Sequence, residues 1–375
     1  MTGHLVHGMG TEPVAPDWPP LTAAEVGRVL GAPVRVLWHS PRPLSAAALV
    51  EQERLLFVKR QHASVRTVEG LAEEHAFLRH LRGRGAPVVE VLAAVRLGEW
   101  VYEVHTAGEG ADLYQDALSW SPFTSPRHAR AAGVALAGLH LAAEGYDAPR
   151  RAVQPLVSSF TVFADPEDPL GALERYVADR PALAAALEGR AWRADTARIH
   201  LPFHERLAPL LGKLEPLWTH NDWHASNLLW DEAGSEVSTI LDFGLSDRTT
   251  AVHDLATAIE RNVIQWLEPS CPVRYDDLDA LLDGYTSVRP LSAVEAAALP
   301  ELLPLVHAEF ALSEMGYFHG VVGSAENAGL AYDYFTEHAQ WFTTPAGRRL
   351  LVRLRAALPV GGSAAGHSAP GQIRT

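Results

Sequence analysis

The sequence predicts an α+β fold in two parts: a small β-rich unit with one inserted helix, then a larger, mainly helical unit. Three observations predict it. Short apolar segments separated by Pro, Ser and charged residues crowd positions 34–105, the pattern of strands joined by turns. Beyond residue 126, apolar residues recur at helical spacing in one segment after another,. Between them, Thr106–Gly110 carries two glycines and breaks both patterns, as a hinge would. With 375 residues, 47% of them hydrophobic, the chain can bury the core of two lobes,. The expected divisions are a flexible N-terminus over 1–20, a small lobe over 21–105, a large lobe over 106–360 and a disordered tail over 361–375.

The elements follow in order. Thr22 and Glu25 form the capping-box pattern before a short helix starting near Ala23,. Val34–Trp38, Ala48–Val50 and Leu55–Arg60 read as strands. Val68–Leu81 reads as a helix with Leu71, Phe77, Leu78 and Leu81 on one stripe, and Gly83–Pro87 ends it. Val88–Val95 and Glu99–His105 read as two further strands. In the large lobe the periodicity predicts helices over Arg127–Ala143, Leu170–Leu187, Ile199–Leu214, Asp254–Leu267, Tyr275–Tyr285, Ala293–Phe318, Glu326–Phe342 and Pro345–Leu358. His140 is expected to be a packed or capping residue of the first of these.

Composition narrows the function classes. Cys271 is the only cysteine, so no disulfide forms within the chain and a reducing compartment fits,. The first 20 residues lack the basic and apolar regions of a secretory signal,, and no stretch is apolar enough for a membrane span. The expected location is cytoplasmic. A formal net charge of −14 disfavours nucleic acid as a partner,. It suits a cationic substrate, and equally an acidic surface that only serves solubility.

The chemistry concentrates in Thr219-His220-Asn221-Asp222-Trp223-His224-Ala225-Ser226-Asn227, followed by Asp242-Phe243-Gly244. Asn227 stands five residues after Asp222, and Asp242 fifteen after Asn227. Apolar segments at Leu228–Trp230 and Val237–Leu241 flank a turn, which predicts a β-hairpin between two polar loops. Phosphoryl transfer needs this set. Charge on the moving group is neutralised by Mg²⁺, and a hydroxyl must be aimed in line. Mg²⁺ prefers hard oxygen ligands, which Asp242 and the Asn227 side-chain oxygen offer. Asp222 can then orient the hydroxyl and take its proton. Gly244 is expected to allow a tight bend after Asp242.

These motifs resemble those of the aminoglycoside phosphotransferase and choline kinase superfamily, itself similar to protein kinases. The family loop usually reads His-Gly-Asp-x-His-x-x-Asn; here Asn221 replaces Gly, as in homoserine-kinase-like branches. The resemblance implies a protein-kinase-like bilobal fold, with Asp222 as catalytic base, Asn227 and Asp242 as Mg²⁺ ligands, and His220 as a loop organiser. It implies that Asp254, in His253-Asp254-Leu255, caps a helix behind the site. In the small lobe, Lys59 ends an apolar strand and resembles the kinase lysine that reaches the nucleotide phosphates. Glu74, or Glu73 with a shifted register, is expected to hold it as an ion pair. Glu103-Val104-His105 falls where the family bonds adenine through backbone groups. One departure is that the hairpin Trp38–Leu49 has no glycine, so phosphate contacts would fall to Ser40 or Ser45.

The implied activity is transfer of the γ-phosphoryl of ATP (or GTP) to a small-molecule hydroxyl. An antibiotic of aminoglycoside or nucleoside type, or an amino sugar, is the favoured acceptor, with antibiotic resistance as the implied role. A metabolite kinase acting on homoserine, choline or a sugar is the alternative. Acidic positions that could meet amines include Asp112, Asp116, Glu268, Asp276 and Asp277. Most of Trp120, Trp223, Trp230 and Trp266 are expected in the core, although a tryptophan can stack on a sugar or amine. Protein substrates fit poorly, because Gly244 leads into the next helix without room for an activation segment. Two other classes remain. A metal-dependent hydrolase would use His220, His224, Asp222 and Asp242; a non-catalytic nucleotide-binding protein would keep the fold alone.

Overall fold

The computed structural model describes residues 16–357, apart from 43 and 118–119. The tail over 361–375 and the first 15 residues lie outside them. Helix α1 (Ala23–Leu30) starts with the Thr22/Glu25 capping box and ends at Gly31 in the left-handed region. Five strands follow: β1 (Arg35–His39), β2 (Ala46–Glu51), β3 (Leu55–His62), β4 (Val91–Leu97) and β5 (Trp100–Thr106). They form one antiparallel sheet in the order β1-β2-β3-β5-β4. Helix α2 (Val68–Gly83), capped by Thr67, lies between β3 and β4 in the chain. The small lobe therefore holds two helices, α1 as well as the inserted one.

Strand alternation sorts the side chains of this sheet by face. Leu56, Val58, Tyr102 and Val104 pack with Val26 and Leu21 into a small core. Lys59 and Glu103, partners across β3 and β5, belong to the opposite face. The segment 16–20 packs against the other end of the sheet. Trp18 stacks on His62 at 5.5 Å and stands edge-on to Trp100. Its indole N–H also donates to the Tyr317 hydroxyl of the large lobe at 3.2 Å.

The connection between lobes runs close to the large lobe's hairpin. Ala111 bridges Trp230. A Cβ on Gly110 would stand 2.7 Å from the Trp230 carbonyl oxygen, and Gly110 takes φ +105°. Glycine is required there for both reasons, so close packing joins flexibility as the cause of this glycine.

The large lobe opens with α3 (Pro126–Ala143), capped by Ser125. Short helices α4 (Pro169–Ala178), α5 (Pro181–Ala186), α6 (Trp192–Ile199) and α7 (Leu201–Leu211) follow. Strands β6 (Pro216–Thr219), β7 (Leu228–Trp230), β8 (Val237–Ile240) and β9 (Asp247–Thr250) form two small ladders, β6 with β9 and β7 with β8. Helices α8 (Ala251–Val263), α9 (Tyr275–Val288), α10 (Ala293–Leu302), α11 (Ala308–Tyr317), α12 (Ala325–Trp341) and α13 (Pro345–Ala357) complete it. The main core runs through this lobe, with Trp218, Trp223 and Trp230 almost fully buried.

Three expected elements change form. Leu170–Leu187 is two helices, because Pro181 forces Arg180 out of the helical region to ψ 83°,. Ala293–Phe318 is divided into α10 and α11 around Pro304. Val88–Val95 pairs in β4 from Val91 onward, while Val88 instead bridges Ile240 in the hairpin. The β6–β9 ladder is a fourth difference, since four-residue strands carry too few alternations to read.

Gly110→Ala should destabilise the protein by about 1–3 kcal/mol, the cost of overpacking against backbone. Urea unfolding would measure it, and an unchanged midpoint would contradict the close approach.

Candidate active site

The loop after β6 turns sharply at Asn221, which takes φ +60°. Asparagine tolerates that left-handed conformation better than most residues, which accounts for its place where the resembling family prefers Gly. Its side chain is fixed as well. The Asn221 carbonyl oxygen accepts from the Thr219 hydroxyl at 2.8 Å and the Thr249 hydroxyl at 3.2 Å. Thus the β6–β9 ladder holds the turn.

Asp254 anchors the backbone of the same loop. Its carboxylate accepts the N–H groups of His220 and Asn221, both at 2.8 Å, and is 3.1 Å from His140 Nε2. The helix cap expected of Asp254 belongs instead to Thr250, whose hydroxyl accepts from His253 N–H. Asp254 sits one turn inside α8, where its side chain reaches the loop. Burial would raise its carboxyl, but the bonds from His140 and the neighbouring His220 hold it below the usual range. Burial lowers His140, which stays neutral and uses its second nitrogen on the Tyr285 hydroxyl at 2.8 Å.

His220 spends both ring nitrogens on backbone. Nε2 is 2.8 Å from the Leu241 carbonyl, and Nδ1 accepts the Asp222 N–H at 3.2 Å. His220 is thereby unavailable as a metal ligand, which removes the first ligand of the hydrolase reading. His224 bonds Ser226 through Nδ1 and lies 3.7 Å from Asp222 through Nε2.

Asp222 and Asn227 form one unit. The Asn227 amide nitrogen donates to the Asp222 backbone oxygen at 3.0 Å and its carboxylate at 3.2 Å. That orientation leaves the Asn227 side-chain oxygen as the outward donor. Arg261 of α8 pairs with the other Asp222 oxygen at 3.1 Å. Burial would raise the Asp222 carboxyl, but His224 and Arg261 together hold it far below the carboxylate range.

Asp242 stands in the left-handed region, φ +54°. The bend expected at Gly244 thus falls on Asp242 itself. Gly244 is needed for space: a Cβ there would lie 3.1 Å from Asp242 Oδ1 and 3.7 Å from the Lys59 ammonium. Its N–H donates to Asp242 Oδ1 at 3.3 Å. The donor chemistry of this pair, one carboxylate and one amide oxygen, fits a hard divalent cation.

Lys59 reaches across the lobes to Asp242 at 2.9 Å. Burial lowers its ammonium, yet Asp242 and Glu103 more than offset this and raise it. The expected Lys59–Glu74 pair does not form. Glu74 pairs with Arg151 at 2.9 Å, and Glu73 accepts from the Ala152 N–H at 3.2 Å. Arg151 and Arg66, neither singled out from sequence, both donate to the Gly244 carbonyl at 2.9 Å. No local pattern marks such residues, because their partners lie 93 and 178 positions away.

Glu103 and His105 also depart from expectation. Both lie in β5, which pairs with β3 on one side and β4 on the other. Their backbone groups belong to the sheet and are not open to an adenine ring. The chain leaves the ladder after Thr106, where the Ala107 N–H still donates to the Leu55 carbonyl at 3.3 Å and the Thr239 hydroxyl bonds both backbone groups of Glu109. The Glu103 carboxylate instead contacts His75 and lies 2.8 Å from His105 Nε2. Burial raises Glu103 but His105 and His75 hold it well below the usual range. The three residues form a convergent donor group on the face that carries Lys59.

The chain belongs to the phosphotransferase enzyme family, whose model matches residues 45–291, and is a small-molecule kinase. It is similar to a homoserine kinase of Methylocella silvestris, 29% identical over 222 residues covering 59% of this chain and 62% of that protein. A homoserine kinase of Caulobacter vibrioides is 28% identical over 224 residues, 59% of this chain and 55% of that protein. The chain thus matches less than two thirds of the length of either kinase. Among solved structures it resembles an aminoglycoside-3'-phosphotransferase of type VIII, with TM-score 0.43, 20% identity and coverage of 75% and 97% of the two chains. A macrolide 2'-phosphotransferase of Brachybacterium faecium gives TM-score 0.42, 14% identity and coverage of 83% and 96%. Among the described residues, no helix is long and apolar enough to cross a membrane.

Two outcomes follow from this geometry. Asp254→Ala leaves two loop N–H groups and His140 without their acceptor, and should cost about 3 kcal/mol or more, read by urea unfolding. Glu314 of α11, pushed up to about 8 from 4.5 chiefly by burial, is neutral in the folded protein at pH 7. The unfolded chain ionises this group first, so its stabilising effect is present below pH 4.5 and is lost between 4.5 and 8,. Glu314→Gln should gain on wild type across that window, by on the order of a few degrees in Tm. Equal Tm differences at pH 4 and pH 9 would refute it.

Proposed function

We propose that the chain transfers the γ-phosphoryl of ATP or GTP, with Mg²⁺, to a hydroxyl of a small molecule. The observation that carries this reading is the meeting of Lys59 from one lobe with Asp242 from the other at 2.9 Å, beside the Asp222–Asn227 unit. Asp242 and the Asn227 oxygen would hold Mg²⁺, which supplies charge neutralisation on the phosphates when bound. Lys59 would exchange Asp242 for phosphate oxygens. Its ammonium keeps its proton because the neighbouring carboxylates favour the charged form.

Asp222 receives the acceptor hydroxyl. The hydroxyl oxygen bonds to the γ-phosphorus as the bond to the β–γ bridging oxygen breaks. The electron pair leaves with the nucleoside diphosphate, and the hydroxyl proton passes to the Asp222 carboxylate. A carboxylate held this low is a weak base, so its main contribution is orientation. That suffices where the transferring group is metaphosphate-like and proton loss comes late.

The acceptor is read in two ways. The acidity of the chain supports an antibiotic or amino sugar, and a role in resistance. The homoserine kinase relatives support a metabolite acceptor.

Asp222→Asn should lower turnover by about 10²–10⁴-fold while leaving nucleotide affinity within about threefold. Asp242→Ala should weaken Mg²⁺-nucleotide binding by about tenfold or more, the loss of one charged partner. Nucleoside diphosphate release over an acceptor panel, with calorimetry for nucleotide, checks both. Full activity in Asp222→Asn would sink the assignment.

A further inference from the structure

The large-lobe side of Asp222 carries polar groups that the phosphoryl-transfer step does not use. Arg261 is buried between aromatic faces, its guanidinium carbon 4.1 Å from the Trp120 ring centre and 5.0 Å from that of Phe310. Its Nη1 lies 3.1 Å from Asp222, and its buried Nε has no hydrogen bond and meets Glu260 only at 3.8 Å. Glu314 is 3% exposed, and its Oε2 is buried without a partner. The Tyr334 hydroxyl of α12 is likewise buried and unpartnered. Tyr334 packs against the same two rings that flank Arg261, its ring centre 5.4 Å from Trp120 and 6.5 Å from Phe310, and Glu314 follows Phe310 by one turn on α11. The adjacent Glu260 is different, because both its oxygens have partners, one with His338 Nδ1 at 2.8 Å and the other with Arg261 Nε at 3.8 Å.

Buried polar atoms in folded proteins are nearly always paired. Two unpaired groups, Glu314 and Tyr334, and an arginine whose Nε makes no hydrogen bond, beside one candidate base, point to a ligand that completes them,. Their chemistry describes that ligand. A guanidinium fixed between rings offers donors in a planar fork, which suits a carboxylate. A buried carboxyl suits an ammonium, whose charge stabilises its ionised form. A polyamine fits less well, since one of its cations would be buried against Arg261.

We propose that Arg261 and Glu314 select a zwitterionic acceptor, a hydroxyl compound bearing a carboxylate for Arg261 and an ammonium for Glu314, with its hydroxyl at Asp222. This rests on the kinase reading above and names the acceptor class for that site. Arg261 is thus a specificity group and, through Asp222, a positioning residue.

The test is calorimetric binding to the full chain with Mg²⁺ and a non-hydrolysable ATP analogue. The probes are L-homoserine, 3-amino-1-propanol (no carboxylate), 4-hydroxybutyrate (no amine) and the polycation kanamycin. L-Homoserine should bind about tenfold or more tightly than either single-charge probe, the worth of one charged hydrogen bond. Glu314→Gln should erase its advantage over 4-hydroxybutyrate but keep that over 3-amino-1-propanol. Arg261→Lys, which keeps the charge and is the milder change to a buried site, should reduce the advantage over 3-amino-1-propanol and raise KM more than it lowers kcat. Tighter binding of kanamycin or 3-amino-1-propanol, or no binding of L-homoserine, overturns the zwitterion proposal. Acceptor-dependent nucleoside diphosphate release in a parallel sample with ATP in place of the analogue would leave the kinase reading standing, and its loss in Asp222→Asn decides that reading separately.

Discussion

The loop that carries Asp222 and Asn227 hangs from one carboxylate. Asp254 has no exposed surface and receives two successive backbone N–H groups and an imidazole. A charge so placed is tolerated because three donors converge on it,. The arrangement fixes the planes of the two peptides flanking His220, and His220 then fixes the peptide before Asp222 through the Asp222 N–H. Asp222 therefore enters the cleft with little freedom left in its backbone. Asn227 removes much of what remains in its side chain.

Around that fixed point, charge is arranged in short alternating chains. Glu103 faces Lys59, Lys59 faces Asp242, and Arg261 faces Asp222. Glu103, Asp242 and Asp222 each have a cation or imidazole close by, and the two acids of the site do not have to neutralise each other. Glu314 breaks the alternation. Its carboxyl lacks a bonded cation, and burial answers by keeping the proton on it.

The loops were legible because their residue types and spacings follow from chemistry. His220, Asp222, Asn227 and Asp242 are close in sequence, and the hairpin between them alternates cleanly. The bilobal division was legible through the change in period near Gly108. What did not show were the partnerships. Lys59 and Glu74 sit at helix and strand positions that suggest a pair, but a guanidinium from residue 151 takes Glu74 first. The backbone at Glu103 looks like a hinge until the sheet order puts β5 between two neighbours. Helix breaks at Pro181 and Pro304 were visible as prolines, yet apolar periodicity ran straight through them. Arg261 reads as one more surface arginine on a helix, and only the packing of α8 against Trp120 and Phe310 gives it a role.

The Arg151 guanidinium makes four hydrogen bonds, to the carbonyls of Gly70, Gly244 and Ser246 and to Glu74. One side chain thereby rivets α2 to the segment that follows Asp242. In mechanical terms α2 is a part of the large lobe, although the chain inserts it into the small one. An on–off switch that swings this helix outward would have to break the pair of bonds on one side of Arg151, those to Gly70 and Glu74 or those to Gly244 and Ser246. The rivet makes the position of α2 depend on the segment after Asp242.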